Sequence, residues 1–393
     1  FFGFAGKDSF NISGPNNKLI KLRVVDTESK GKIYKRNTFK YDILHPSPSF
    51  GYNRDDGVQL GATLSYTEHS YNKDPYRVFH QVKALYAFRT NAFRIQYDFV
   101  ATDVIGSSDL VVRADLRAPN NTINFFGAGN NSENNIKEGT DYRYYQTTVF
   151  HGDFGMFLKK EIAPDIHLFY GPTFQVYNLD SSKNRNRLVY NPELIGMDTT
   201  NLYHKRTYAG IGTALVIDNR NDANYPTRGV KWKTAFLYNK GLNRYTSEFS
   251  QFTSDLSVYI SSNIPSRMVV ALRFGGGINF GSYQFYQSQF LSGTQNLRGF
   301  RKYRFAGEKM FYNNLDVRIR LKDYQGYLYT GSYGILLFND IGRVWLDGEE
   351  SGRWHDGYGF GAWIFPAHRF MLTGTIGFSK EGALGVVNLG FMF

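Results

Sequence analysis

Phe311-Tyr312-Asn313-Asn314-Leu315-Asp316-Val317-Arg318-Ile319-Arg320-Leu321 puts Phe311, Leu315, Val317, Ile319 and Leu321 on one parity and Tyr312, Asn314, Asp316, Arg318 and Arg320 on the other. A period of two sends successive side chains to opposite faces of a strand. A soluble sandwich would bury the apolar parity and expose the charges. A membrane barrel would turn the apolar parity to lipid and the charges to a lumen. Alternation fits both, but length favours the second. The run exceeds the about five or six residues usual in soluble sheets and is long enough to cross a bilayer at a tilt.

The pattern recurs further along the chain. In Ala383 to Phe393, Val387, Leu389, Phe391 and Phe393 oppose Asn388 and Gly390. Before it, Phe370, Leu372, Ile376 and Phe378 oppose Thr373, Thr375 and Gly377. From about Ser47 onward the chain reads as strands almost without interruption, and its links alternate in size. Short ones include Ala163-Pro164-Asp165, Asn263-Ile264-Pro265-Ser266, Lys322-Asp323-Tyr324-Gln325-Gly326 and Pro366-Ala367-His368. Long ones run over 120–141, 180–202, 281–305 and 346–356. Short turns on one side and long loops on the other are the mark of an outer-membrane barrel, as is an even strand number. The expected fold is all-β: a closed transmembrane antiparallel barrel of about 16 strands spanning 46–393. Tyr142, Tyr144, Tyr145, Tyr327 and Tyr329 stand at strand ends, where interfacial aromatic girdles are expected.

Residues 1–45 differ. Leu19–Val25 and Ile33–Tyr41 flank a Ser29-Lys30-Gly31-Lys32 turn, a basic hairpin too small to fold alone. It is expected to be a short periplasmic segment leading into the barrel, with His45-Pro46-Ser47-Pro48 as the boundary. The chain opens on Phe-Phe-Gly without a leader-like segment, which raises the expectation of a larger precursor.

The 393 residues include no cysteine, so disulfide frameworks, thiolate metal sites and cysteine nucleophiles are excluded. No apolar run approaches the length of a transmembrane helix. The net charge of +12 has no helical or RNA-motif-like cluster, and fits a basic lumen and basic loops better than nucleic-acid binding. No Gly-x-Ser-x-Gly elbow, P-loop or His-Glu-x-x-His occurs. His45, His69, His80, His151, His167, His204, His355 and His368 are isolated from one another. Asp55-Asp56 and Glu349-Glu350 are adjacent carboxylates expected to be solvated rather than to hold a metal. No cofactor and no catalytic activity are expected of this chain.

One loop has content that a mere connection does not need: Gly293-Thr294-Gln295-Asn296-Leu297-Arg298-Gly299-Phe300, in the sixth long loop. Leu297-Arg298-Gly299-Phe300 resembles the signature loop of the Omp85 superfamily of outer-membrane barrels. Three further patterns accompany it in the family's order. They are Asp218-Asn219-Arg220 to Tyr225-Pro226-Thr227-Arg228-Gly229, Phe338-Asn339-Asp340-Ile341-Gly342-Arg343-Val344-Trp345, and a last strand ending in Phe393. The likeness covers the chain from about Tyr41 onward.

The resemblance implies an inward-folded loop whose Arg298 pairs with acidic wall residues. Asp340 and Asp316 are the candidates, and both lie on the polar parity of their strands. It implies a C-terminal assembly signal at Phe393 and a weak seam between the first and last strands. It also implies a place in the bacterial outer membrane, in protein assembly, insertion or translocation, with membrane lipids, client barrels and assembly subunits as partners. Gly51 to Gly57, Asn124 to Asn130 and Lys302 to Gly307 are similar to Bacteroidetes members. Some of those follow a metallophosphoesterase domain, which gives the alternative of a membrane-anchoring barrel for an upstream periplasmic enzyme.

Overall fold

The structure, a computed structural model, describes residues 2–4, 23–25, 40–70, 73–117, 120–191, 202–262, 267–326, 330–367 and 370–393. Sixteen long strands, each antiparallel to its neighbours, close into one barrel. They are β1 (Ile43–Asn53), β2 (Gly57–Ser70), β3 (Lys73–Ala87), β4 (Ala92–Ile105), β5 (Ser108–Arg117), β6 (Gln146–Ala163), β7 (Ile166–Leu179) and β8 (Arg206–Asp218). There follow β9 (Gly229–Gly241), β10 (Phe249–Ser261), β11 (Met268–Gly281), β12 (Lys309–Gln325), β13 (Thr330–Trp345), β14 (His355–Pro366), β15 (Leu372–Ser379) and β16 (Gly382–Leu389). No helix among the described residues is long and apolar enough to cross a membrane. The long connections 118–145, 180–205 and 282–308 all emerge at one end, with 346–354, and the connections at the other end are no longer than 219–228.

Alternation sorts the two faces. On β12, Tyr312, Asn314, Asp316 and Arg318 are buried, while Phe311 and Leu321 are exposed. On β13, Leu336, Phe338, Asp340 and Val344 are buried, while Tyr333, Ile335 and Leu337 are exposed. Leu60, Leu64, Phe154, Ile211, Phe252, Phe274, Phe360 and Ile376 continue the exposed apolar surface around the wall. Such a band is the lipid-facing surface of a barrel, and the opposite parity faces a polar interior.

The seam between β16 and β1 departs from the rest of the wall. It registers one pair, Val387 with Tyr52, whereas β15 and β16, the shortest strands, register eight. The sequence explains part of this. Phe88 N–H donates to the Val58 carbonyl at 3.0 Å and Arg89 N–H to the Asp56 carbonyl at 3.2 Å. Even-numbered residues of β2 therefore turn their backbone groups to β3, and odd-numbered ones to β1. Through the register Asn53–Gly57 to Ile43–Thr67, even-numbered residues of β1 turn their peptide edges to the seam. Tyr52 is one. Pro46 and Pro48 are two others, and proline has no N–H to donate.

Several expectations are corrected here. Tyr142, Tyr144 and Tyr145 do not form a girdle. They lie in a short 3-10 turn, where Tyr145 stacks on Phe126 in an aromatic cluster under the long connections. The last strand stops at Leu389, and Gly390, at φ +95°, turns the chain off the lipid-facing stripe. The basic hairpin falls mostly outside the described residues. Of it, Arg23–Val25 pairs in parallel with Phe2–Phe4. Tyr327, Tyr329, His368 and the turn 263–266 also lie outside them.

Candidate functional site

Connection 282–308 is held in shape by its own bonds. Gln289–Leu291 pairs with Phe305–Gly307. The Ser292 carbonyl accepts from the N–H groups of Gln295, Asn296 and Leu297, each at 3.0 Å. Gly293 N–H donates to the Arg301 carbonyl at 3.0 Å. Leu291, Leu297, Phe300 and Phe305 pack with Tyr312 and Val344 into one apolar cluster. Leu297 and Phe300 thus anchor the loop on both sides of its charge.

Gly299 has φ +86°, a conformation that glycine adopts at no steric cost. Its carbonyl accepts from Ser379 Oγ at 2.7 Å. Two wall glycines make room for the loop: a Cβ at Gly357 would run into the Arg298 carbonyl, and one at Gly377 into the Gly299 amide.

Arg298, 4% exposed, meets two fully buried carboxylates. Its Nε donates to Asp340 Oδ2 and its Nη2 to Asp340 Oδ1, both at 2.7 Å, the bidentate fork that fixes a guanidinium's orientation. Nη2 also donates to Asp316 Oδ1 at 2.7 Å, and the Arg298 backbone N–H to Asp340 Oδ2 at 2.8 Å. The guanidinium lies 3.8 Å from the ring centroid of Phe338, the cross-strand neighbour of Asp316. Asp316 also takes Arg318 Nη2 at 2.9 Å, so two cations face two carboxylates. Local neutrality helps make this buried charge tolerable, although Arg318 Nη1 has no hydrogen-bond partner among the described residues.

Arg318 extends the network to the last residues. Its Nη2 donates to the Phe393 carbonyl at 2.8 Å, and its guanidinium lies 3.9 Å from the Phe391 ring. Phe393 approaches Tyr259, with ring centroids 6.5 Å apart. Phe391 lies against Tyr225, from the turn after β8, and Trp363.

The residues after the tetrapeptide were not singled out from sequence as a site. Arg301 Nη1 donates to Asp55 Oδ1 at 2.6 Å, Lys302 N–H to Asp55 Oδ2 at 3.0 Å, and Lys302 Nζ to Asp56 Oδ2 at 2.9 Å. Arg304 Nε donates to Glu381 Oε1 at 2.5 Å, and its Nη1 to Ser132 Oγ at 2.9 Å. Asp55 and Asp56, expected to be solvated, are each 4% exposed and paired. Glu349 is engaged as well, accepting from the backbone N–H groups of Asn130 and Asn131 at 2.7 Å. The one sequence signal available was density: three cations within Arg301-Lys302-Tyr303-Arg304. No group of three or more metal-ligating side chains occurs among the described residues.

Burial raises the pKa of Asp56, but the Lys302 ammonium and hydrogen bonds from Lys302, Asn53 and Gln59 together outweigh it and hold the carboxyl below its ordinary value. Burial lowers that of Lys302, but Asp56, Tyr303 and Asp55 together outweigh it and hold the ammonium above its ordinary value. Stability from Asp56 is present above the unfolded value of about 3.9 and is lost as pH falls through the lower folded one. Stability from Lys302 is present below about 10.4 and is lost as pH rises through the higher folded one. The part of the heat-modifiable shift temperature that this pair contributes is therefore expected to stay level from about pH 5 to 9 and to fall below about pH 4. In Asp56→Asn the acid limb should shrink. An acid limb of unchanged size would show that this pair does not contribute.

Comparison with known proteins agrees with this architecture. The family model described as the Omp85 superfamily domain matches residues 27–380. No curated protein matches the chain. Among solved structures, it is similar to BamA from Haemophilus ducreyi lacking POTRA domains 1-3, at 14% identity and a TM-score of 0.60, covering 89% of this chain and 71% of that one. It is also similar to CdiB from Acinetobacter baumannii, at 11% identity and a TM-score of 0.54, covering 90% of this chain and 60% of that one. CdiB from Escherichia coli gives 11% and 0.53, covering 94% and 65%. At these identities the likeness is one of fold, and the chain spans less than two thirds of either CdiB.

Proposed function

The chain belongs to the Omp85 superfamily, as an integral barrel of the bacterial outer membrane, and from that premise we propose that it takes part in protein assembly, insertion or translocation there. The observation that carries the reading is the seam: one registered pair in a wall that is otherwise extensively paired, with Pro46 and Pro48 on the open side of β1. An unpaired strand edge is a template for another strand. A barrel that parts there offers two edges to a client while the remaining wall keeps its shape. The partners in this reading are outer-membrane lipids, client barrels and assembly subunits.

In the same reading, Leu297, Arg298, Gly299 and Phe300 form a lumenal plug seated on Asp316 and Asp340. Such a plug opposes a passive pore. Phe393 serves recognition of this chain during its own insertion, before its carbonyl settles on Arg318. No catalytic role is assigned to the chain itself.

The test joins the seam covalently. The chain has no native cysteine, so Tyr52→Cys with Val387→Cys introduces the only pair. Residues in register lie within disulfide reach. Oxidised protein in liposomes is expected to lose insertion of a client barrel and to regain it on reduction. Equal insertion by the joined and reduced forms would overturn the reading.

A further inference from the structure

We propose that Arg301, Lys302 and Arg304 form an ionic clasp that holds the seam shut at the end of the barrel bearing the long connections. The inference rests on the seam being a part that opens, and it names what restrains that opening.

The placement of the carboxylates carries the argument. Asp55 and Asp56 lie in the turn between β1 and β2, and Glu381 lies in the turn between β15 and β16. These turns flank the seam from opposite sides at the same end. One stretch of connection 282–308 grips both: Arg301 and Lys302 take the first-strand side, and Arg304 takes the last-strand side. Gly299 adds a further bond to the last-strand side through Ser379 Oγ. Each bond within the clasp is charged and mostly buried, where a charge-assisted hydrogen bond is stronger than a neutral one. The backbone ladder across the seam supplies one registered pair. That pair, Tyr52 with Val387, lies at the turn end of β1, so the side chains reinforce the edges where the sheet gives them least.

The two sides are not equally fixed. Arg304 lies between the rings of Phe126 and Phe305, at 4.6 and 4.3 Å, and also bonds Ser132. Glu381 is held again by Asn134 Nδ2 at 2.8 Å. The last-strand side is thus tied into two connections. On the first-strand side, Lys302 presents a flexible ammonium to Asp56, and parting β1 from β16 breaks the contacts of Arg301 and Lys302 with Asp55 and Asp56 together with the one backbone pair. Release is assigned to that side.

Disulfide formation in the Tyr52→Cys/Val387→Cys protein, purified and folded in detergent, reads the closed fraction directly and needs no client. Arg301→Gln with Lys302→Gln is expected to slow it roughly tenfold, because unpaired buried Asp55 and Asp56 then favour parting. Glu381→Gln is expected to slow it less, since Ser132 still holds Arg304. Arg301→Asp with Asp55→Arg is expected to restore the rate. Arg228→Gln, at the opposite end, leaves it unchanged.

A rate unaffected by both clasp variants, in protein that still shows the heat-modifiable shift, overturns the clasp. So does slowing by Arg228→Gln equal to that of the clasp variants. If the double glutamine variant does not fold, Glu381→Gln alone decides. If the clasp variants slow disulfide formation while the joined seam leaves client insertion intact, the clasp stands and the assembly reading falls.

Discussion

Arg298→Ala is expected to destabilise the seated loop by about 3–5 kcal/mol, the usual result of removing one partner from a buried ion pair. The change leaves Asp316 with Arg318, but it leaves Asp340 without a cation among the described residues. The contact with Phe338 is lost as well. Asp340→Ala should cost less, because Arg298 keeps its bond to Asp316, although Arg298 and Arg318 then share that one carboxylate. Arg298→Lys keeps the charge but not the fork, and should fall between wild type and alanine. The readouts are the temperature of the heat-modifiable gel shift, protease cleavage within 282–308, and conductance in a planar bilayer. All three should move together in Arg298→Ala. An unchanged melting profile with full protection of the loop would refute the pairing as its anchor.

Gly357→Val is expected to unseat the same loop while leaving every charge in place. A side chain there meets the Arg298 carbonyl, a backbone atom that cannot swing aside. Either the loop lifts or β14 moves, and β14 is paired along its length to β13. Lifting the loop breaks the Arg298 bonds to Asp340 and Asp316, so the loss should approach that of Arg298→Ala, again about 3–5 kcal/mol. Gly374→Val is the control, since nothing lies within 4 Å of its added Cβ. Protease resistance of 282–308 in Gly357→Val equal to that of the control would mean that the recess is not needed.

The wall was legible because its signal is local. The parity of Phe311 to Leu321 is repeated wherever a strand separates lipid from lumen, and the alternation of short and long links needs no knowledge of contacts. Asp316 and Asp340 could be named as candidates for Arg298 because parity put both on the polar face. The structure brings all three together, with the Arg318 that stands two residues from Asp316.

What could not be read has no period. Asp55, Asp56 and Glu381 are set by where turns fall around a closed ring, and nothing near them in sequence tells which cation arrives. Adjacent carboxylates on a turn are normally solvated, and here a connection some 246 residues away covers them. Phe391 and Phe393 kept the alternation on paper, but Gly390 broke it in space by adopting φ +95°. Pro46 and Pro48 marked a boundary in sequence. Only the register showed which edge their missing N–H groups affect.

The distances along the chain between the clasp's partners bear on the order in which this protein forms. Arg301 and Asp55 are 246 residues apart, Arg304 and Glu381 are 77 apart, and Arg298 and Asp316 only 18. Contacts that close long stretches of chain carry the larger entropy cost and come late. Arg298 can find Asp316 within one hairpin's worth of wall. The side chains of Arg301 and Lys302 meet Asp55 and Asp56 only once β1 has come round beside β16. Their burial therefore reports completion of the ring, and a kinetic probe on Lys302 would time the last step of folding separately from the growth of the wall.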